Sequence, residues 1–124
     1  MKKLLFAVSF AFVGLAAANA QEISFEKETI DYGEVAKSSN GERVFTFTNT
    51  GDKPLIIRKV QTSCGCTAAE YPKPTDVIAP GQKGQIKVRY NTSITNSFNK
   101  SITVLSNAVE NGRKILRIKG VVKD

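Results

Sequence analysis

A two-residue alternation of apolar and polar side chains, cut at short intervals by turn dipeptides, is the feature that most narrows what this chain can become. In residues 85–90, Ile86, Val88 and Tyr90 alternate with Lys87 and Arg89. Successive strand side chains point to opposite faces, so this segment carries one apolar and one charged face. Residues 43–48 repeat the pattern, with Phe45 and Phe47 on one face and Thr46 and Thr48 on the other. Ile23 and Phe25 begin the series, and Ile30, Tyr32 and Val35 continue it. Residues 54–60 form an apolar strand through Leu55, Ile56, Ile57 and Val60, and Val77-Ile78 forms a short one. Phe98, Ile102 and Val104 share a face, and Leu116, Ile118, Gly120 and Val122 line the last strand.

Turn signals separate these runs roughly every 8–12 residues, the rhythm of a sandwich or barrel. Asn40-Gly41 and Asn49-Thr50-Gly51-Asp52 are two of them. Ala79-Pro80-Gly81-Gln82 has proline and glycine at the second and third positions of a type II turn. Asn111-Gly112 suits the tight turn of a final hairpin. Tyr71-Pro72-Lys73-Pro74 is excluded from a central strand, because proline has no amide to donate. No segment beyond residue 20 carries a helical period. The pattern predicts an all-β fold: a single immunoglobulin-like antiparallel β-sandwich of about seven strands. It does so without the tryptophan and long-range cysteine pair of antibody domains.

The first residues read differently. Lys2 and Lys3 precede a short apolar run over residues 4–18, and Ala18-Asn19-Ala20 supplies a small-x-small cleavage site. This is the pattern of a secretory signal peptide, and the run is shorter than the roughly 20 residues a spanning helix needs. The expected organisation is a signal peptide over 1–20 and one β-sandwich domain over 21–124. The mature chain is then expected to be exported, periplasmic or secreted, with no transmembrane segment. No cysteine follows the apolar run to receive a lipid. A domain of this size buries roughly two thirds of its unfolded surface, enough for a core without disulfide staples.

Charge restricts the partners. The chain has 18 lysines and arginines against 11 acids, a net +7 that falls to +5 once Lys2 and Lys3 are removed. Arg58-Lys59 and Arg113-Lys114 are the basic pairs that remain, without a longer run. Such a spread reads as a solvated, mildly basic surface, and together with export it argues against nucleic acid. Asn91-Thr92-Ser93 and Asn99-Lys100-Ser101 match the glycosylation sequon, a tripeptide common by chance.

Reactive chemistry is concentrated in Ser63-Cys64-Gly65-Cys66-Thr67, which holds both cysteines of a chain with no histidine. On an extended strand residues i and i+2 share a face, with α-carbons roughly 6.6 Å apart, near the upper end of the disulfide range. A turn at Gly65 brings them closer. Closing a three-residue loop stabilises a fold by only about 1.6 kcal/mol, whereas a long-range bridge gives about 4–5 kcal/mol. Three readings follow. The pair is a local disulfide that shapes a loop. Alternatively it is a redox-active pair, in which one thiolate attacks and its neighbour resolves, although Arg58 and Lys59 lie some way upstream and no helix N-terminus is expected nearby. Or the two thiolates hold a soft metal such as Cu(I), with zinc disfavoured for want of four ligands. Glu70 and Asp76 are the nearest further ligand candidates, and two chains together could supply four sulfurs.

Other catalytic classes find little support. Without histidine there is no Ser-His or Cys-His arrangement, and no glycine-rich phosphate loop is present. Asp31 and Glu34 around Gly33 read as exposed carboxylates at a turn, and Ser63 and Thr67 as bonding to nearby backbone.

The succession Phe45-x-Phe47-x-Asn49-Thr50-Gly51, Pro54-Leu55, Ser63-Cys64-Gly65-Cys66-Thr67, Pro80-Gly81-x-x-Gly84, Phe98-x-Lys100 and Ser106-Asn107 resembles a bacterial family of uncharacterised exported proteins, domain-of-unknown-function family 1573. The resemblance covers roughly residues 23–122. It implies an immunoglobulin-like β-sandwich similar to cilia-associated and sperm-protein domains, with no established activity. One departure is visible: the family usually has a glycine shortly before Phe-x-Lys, where this chain has Asn96-Ser97.

The functional expectation is a non-enzymatic exported module that binds another exported or envelope protein, with Cys64 joined to Cys66 and no cofactor. Thiol–disulfide exchange and Cu(I) carriage through the same sulfurs are its alternatives. Replacing both cysteines by serine separates them.

Overall fold

The computed structural model describes residues 20–124, so the expected signal peptide lies outside the described residues apart from Ala20. Eight strands follow in order: β1 (Ile23–Phe25), β2 (Thr29–Ala36), β3 (Glu42–Asn49), β4 (Ile57–Thr62), β5 (Thr67–Glu70), β6 (Lys83–Tyr90), β7 (Asn96–Ser106) and β8 (Arg113–Lys123). They form two four-stranded sheets, ordered β1-β3-β6-β5 and β2-β8-β7-β4. No helix among the described residues is long and apolar enough to cross a membrane.

The alternation explains which side of each strand is hidden. Phe45 and Phe47 of β3 and Ile86 and Val88 of β6 are buried from one sheet. Ile102 and Val104 of β7 and Leu116 and Ile118 of β8 meet them from the other, forming one continuous core. Full burial of a side chain of this kind is worth roughly 1.5–3 kcal/mol. At one end of the core Tyr90 stacks on Phe98 with ring centroids 3.9 Å apart. Tyr32 meets the same Phe98 edge-on at 5.2 Å.

Asn49, fully buried at the end of β3, shows how a polar side chain is accommodated in that core. Its amide nitrogen donates to the Lys53 and Ile78 carbonyls at 2.8 and 2.9 Å. Its oxygen accepts the Gly51 amide at 3.0 Å. The predicted turn over residues 49–52 is thus organised from inside. The predicted type II turn is also present: Gly81 has φ +81° and Gln82 donates to the Ala79 carbonyl at 2.9 Å.

The all-β sandwich holds, and several details differ from the sequence reading. Eight strands form rather than about seven. The added one is β5, whose Ala68 and Ala69 carry little strand propensity but pair with Arg89 and Val88 of β6. Residues 77–78 contribute only an isolated bridge, Leu55 to Ile78, instead of a strand. The pairing is antiparallel except between β2 and β8, which run parallel. A parallel pair needs a long crossover, and here most of the domain lies between the two strands. The turn between β2 and β3 is centred on residues 36–39, with Ser38 at φ 65° and Ser39 donating to Ala36, rather than on Asn40-Gly41. The last connection, residues 107–112, is a longer loop closed where Ser106 donates to the Gly112 carbonyl at 2.9 Å, not a two-residue turn.

Candidate functional site

The Ser-Cys-Gly-Cys-Thr segment occupies a corner of the sandwich. It joins β4, the last strand of one sheet, to β5, the last strand of the other. A chain changing sheets within so few residues has to reverse sharply. It does so at Gly65 and Cys66, where the Thr67 amide donates to the Cys64 carbonyl at 3.2 Å and closes a turn. The α-carbons of Cys64 and Cys66 come to 5.2 Å, closer than an extended strand allows, and their sulfurs are 2.05 Å apart, at disulfide distance.

Hydrogen bonds fix the corner on both flanks. Toward β7, Ser63 donates its amide to the Ser101 carbonyl at 3.0 Å. Ser101 returns its own amide to the Ser63 hydroxyl at 3.1 Å. Toward β6, Asn91 donates its amide to the Cys66 carbonyl at 2.9 Å. Within the turn the Cys66 amide points at Cys64 Sγ at 3.1 Å, and the Thr62 hydroxyl donates to the Cys64 carbonyl at 3.3 Å. Thr67 is buried, Cys64 and Cys66 are half-buried, and Ser63 and Gly65 are exposed. Cys66 also packs against the core.

The other residues raised by the sequence lie elsewhere in function. Glu70 stands 3.9 Å from Lys87, and Asp76 accepts the Lys73 amide at 3.2 Å. Among the described residues no metal-sized cluster of three histidines, cysteines or carboxylates forms. Asp31 caps the Gly33 amide at 2.8 Å and Glu34 pairs with Lys123 at 3.5 Å, so they are two separate surface carboxylates. Sequence reasoning missed Ser101 and Asn91 as supports of the corner. Neither carries a signal by itself, because strand register alone brings each to the turn.

A family model described as a protein of unknown function, DUF1573, matches residues 23–122. The chain belongs to that family. No curated protein matches this DUF1573 member. Among solved structures it is similar to a protein of unknown function from Porphyromonas gingivalis W83, with TM-score 0.73 and 16% identity over 85% of this chain and 48% of that one. It is also similar to the ASH/PapD-like domain 7 of human CEP192, with TM-score 0.65 and 7% identity over 85% and 87% of the two chains. The YadV chaperone gives TM-score 0.59 and 18% identity over 83% and 53%. This DUF1573 chain thus spans about half the length of the Porphyromonas protein, and the likenesses fix an immunoglobulin-like, PapD-like fold.

Proposed function

We propose that this DUF1573 protein is a non-enzymatic exported module that binds another exported or envelope protein, with Cys64 and Cys66 joined as a local disulfide that sets the corner between its sheets. The observation that carries the reading is the way the sulfurs are built into that corner. They close a turn whose two ends are already tied to β6 and β7 by backbone bonds. The similarity to a PapD-like domain and to a chaperone supports protein binding. Sandwiches of this kind present loops, edges and faces to partners.

The double substitution Cys64→Ser, Cys66→Ser tests it. The variant should keep its fold, lose no more than about 1.6 kcal/mol of stability from the opened three-residue loop, and retain the partner cross-linked in the native compartment. Thiol trapping during a glutathione titration should find the pair oxidised down to potentials below about −300 mV.

The incomplete burial of Cys64 and Cys66 favours one second reading, thiol–disulfide exchange. A thiolate of a substrate dithiol attacks one sulfur, the Cys64–Cys66 bond breaks, and a mixed disulfide forms. The second substrate thiolate then displaces the protein sulfur. The substrate leaves as a disulfide and the pair is left as two thiols, a two-electron transfer. A midpoint near −200 mV or higher, with function lost in a folded serine variant, would replace the binding reading by this one.

A further inference from the structure

The outer faces of the two sheets differ in how their charges are balanced. On the β1-β3-β6-β5 sheet, Lys83 pairs with Glu26 at 3.2 Å and Arg89 with Glu42 at 3.0 Å. Lys87 stands between Glu42 and Glu70 at 4.0 and 3.9 Å. That face neutralises itself.

The opposite sheet does not. Register places Lys59 beside Leu105 and Leu105 beside Arg113 in one row across β4, β7 and β8. The next outward rows align Gln61, Thr103 and Ile115, then Ser101 with Arg117, then Asn99 with Lys119. Their neighbours Ile102, Val104, Leu116 and Ile118 point into the core, so these rows face outward. Across the three strands the exposed charges are Arg58 at the β4 register shift and Lys59, Arg113, Arg117 and Lys119 in the outward rows, with no carboxylate among them. None of the five takes part in an ion pair among the described residues. The acids on this side belong to β2: Glu34 is matched to Lys123, and Asp31, which caps the Gly33 amide, is the register partner of Lys119 and borders this face at one edge, leaving its excess of charge positive. Ile115, 41% exposed, sits between the two arginines of β8.

We infer that this face, Lys59, Arg113, Ile115, Arg117 and Lys119, docks an acidic segment of a protein partner, the arginines taking its carboxylates and Ile115 one of its apolar side chains. The inference rests on the protein-binding reading above and assigns it a surface. Charge complementarity sets the sign of the partner. Arg113 and Arg117 stand about 13 Å apart along the strand, and the planar guanidinium fork matches a carboxylate with two hydrogen bonds. An apolar centre flanked by arginines is the anatomy of protein interfaces, which are enriched in arginine and depleted in lysine. A single half-exposed isoleucine offers little surface to insert among lipid chains, which favours a protein over a membrane.

The test uses the protein produced from its full coding chain. The probe is a fluorescein-labelled peptide of glutamates with a central leucine, its binding read by anisotropy. Binding should weaken about tenfold in Arg113→Gln, Arg117→Gln. It should weaken a few-fold in Ile115→Ser and when the peptide leucine is replaced by serine, and it should fall as salt is raised. Lys83→Gln on the self-neutralised face should leave it unchanged. Circular dichroism and the urea midpoint establish that each variant is folded. Equal binding of the glutamine version of the peptide, or wild-type affinity in the double arginine variant, would overturn the assignment. So would binding to phosphatidylglycerol vesicles in place of the peptide. Photo-cross-linking in the native compartment separates this inference from the reading beneath it. A protein partner retained by the double arginine variant would leave the module reading standing and dismiss this face, whereas loss of that partner supports both.

Discussion

Ser63 and Ser101 hold each other through two hydrogen bonds, and in one of them the Ser63 hydroxyl stands where a strand carbonyl would ordinarily accept. The Ser101 amide donates to that hydroxyl at 3.1 Å, so β4 can begin to turn toward the other sheet without abandoning its partner on β7. Ser63→Ala leaves the Ser101 amide without that acceptor. The expected loss is about 0.5–1.5 kcal/mol, at the lower end because Ser63 is exposed and water can substitute. Ser63→Thr keeps the hydroxyl and should recover most of it. Urea midpoints of the two variants check this, and equal midpoints would remove the side-chain bond from the account.

Gly84 of β6 lies under the ring of its β3 register partner Phe47. The position a β-carbon would occupy is already filled by that ring. Phe47 is completely buried and meets Phe25 at a centroid distance of 5.7 Å, so it has little room to withdraw. Gly84→Ala should therefore destabilise the protein by about 1–3 kcal/mol through overpacking. Thermal unfolding would show it, and the paired change Gly84→Ala, Phe47→Leu should restore part of the loss by clearing the space.

These two contacts also mark where the sequence stops being legible. Alternation in residues 43–48 and 85–90 is local, because each side chain declares its own face, and β3 and β6 follow from it. The proline-glycine turn over residues 79–82 is equally local, since proline presets one angle and glycine accepts the other. β5 is not local. Ala68 and Ala69 show no preference for a strand, and they extend because β6 offers an unpaired edge. The parallel pairing of β2 with β8 joins the two ends of the domain, which no short window contains. The candidate site divides the same way. The cysteine pair and its turn at Gly65 are readable from spacing, whereas Ser101 and Asn91 reach it only through register. Lys59, Arg113, Arg117 and Lys119 read as scattered charges along the chain, and it takes the alignment of three strands to make them one surface.

Asn96, at the start of β7, holds a backbone conformation that favours glycine: its φ is 88°. Glycine adopts this left-handed region without steric penalty, and asparagine tolerates it better than other residues with a β-carbon. Asn96→Gly should leave stability unchanged or raise it by a few tenths of a kcal/mol, the relief being partly offset by the greater freedom of glycine in the unfolded chain. Asn96→Ala, which has neither advantage, should cost about 1 kcal/mol. Denaturant titrations of the three proteins give the order. Alanine as stable as asparagine would mean that the backbone relaxes away from this conformation.

Tyr32 gives the fold a predictable alkaline limit. Its ring is buried and its hydroxyl donates to the Gly41 carbonyl at 2.7 Å. Burial pushes its pKa from 10.0 up to about 12, and the Arg43 guanidinium, 4.2 Å from the ring centre, pulls it back only in part. Below pH 10 both folded and unfolded chains keep the proton, and the contribution to stability is complete. Between 10 and about 12 the unfolded chain releases the proton while the folded chain holds it, so stability falls as pH rises through that window. Tyr90, also raised by burial, acts in the same direction. Tyr32→Phe removes the titrating group together with the hydrogen bond to Gly41. Near neutral pH the variant should be less stable by about 0.5–1.5 kcal/mol, yet its stability should decline less steeply above pH 10. The two urea-midpoint curves should therefore converge as the solution becomes alkaline. Parallel curves across that range would mean that Tyr32 ionises as readily in the folded protein as in the unfolded chain.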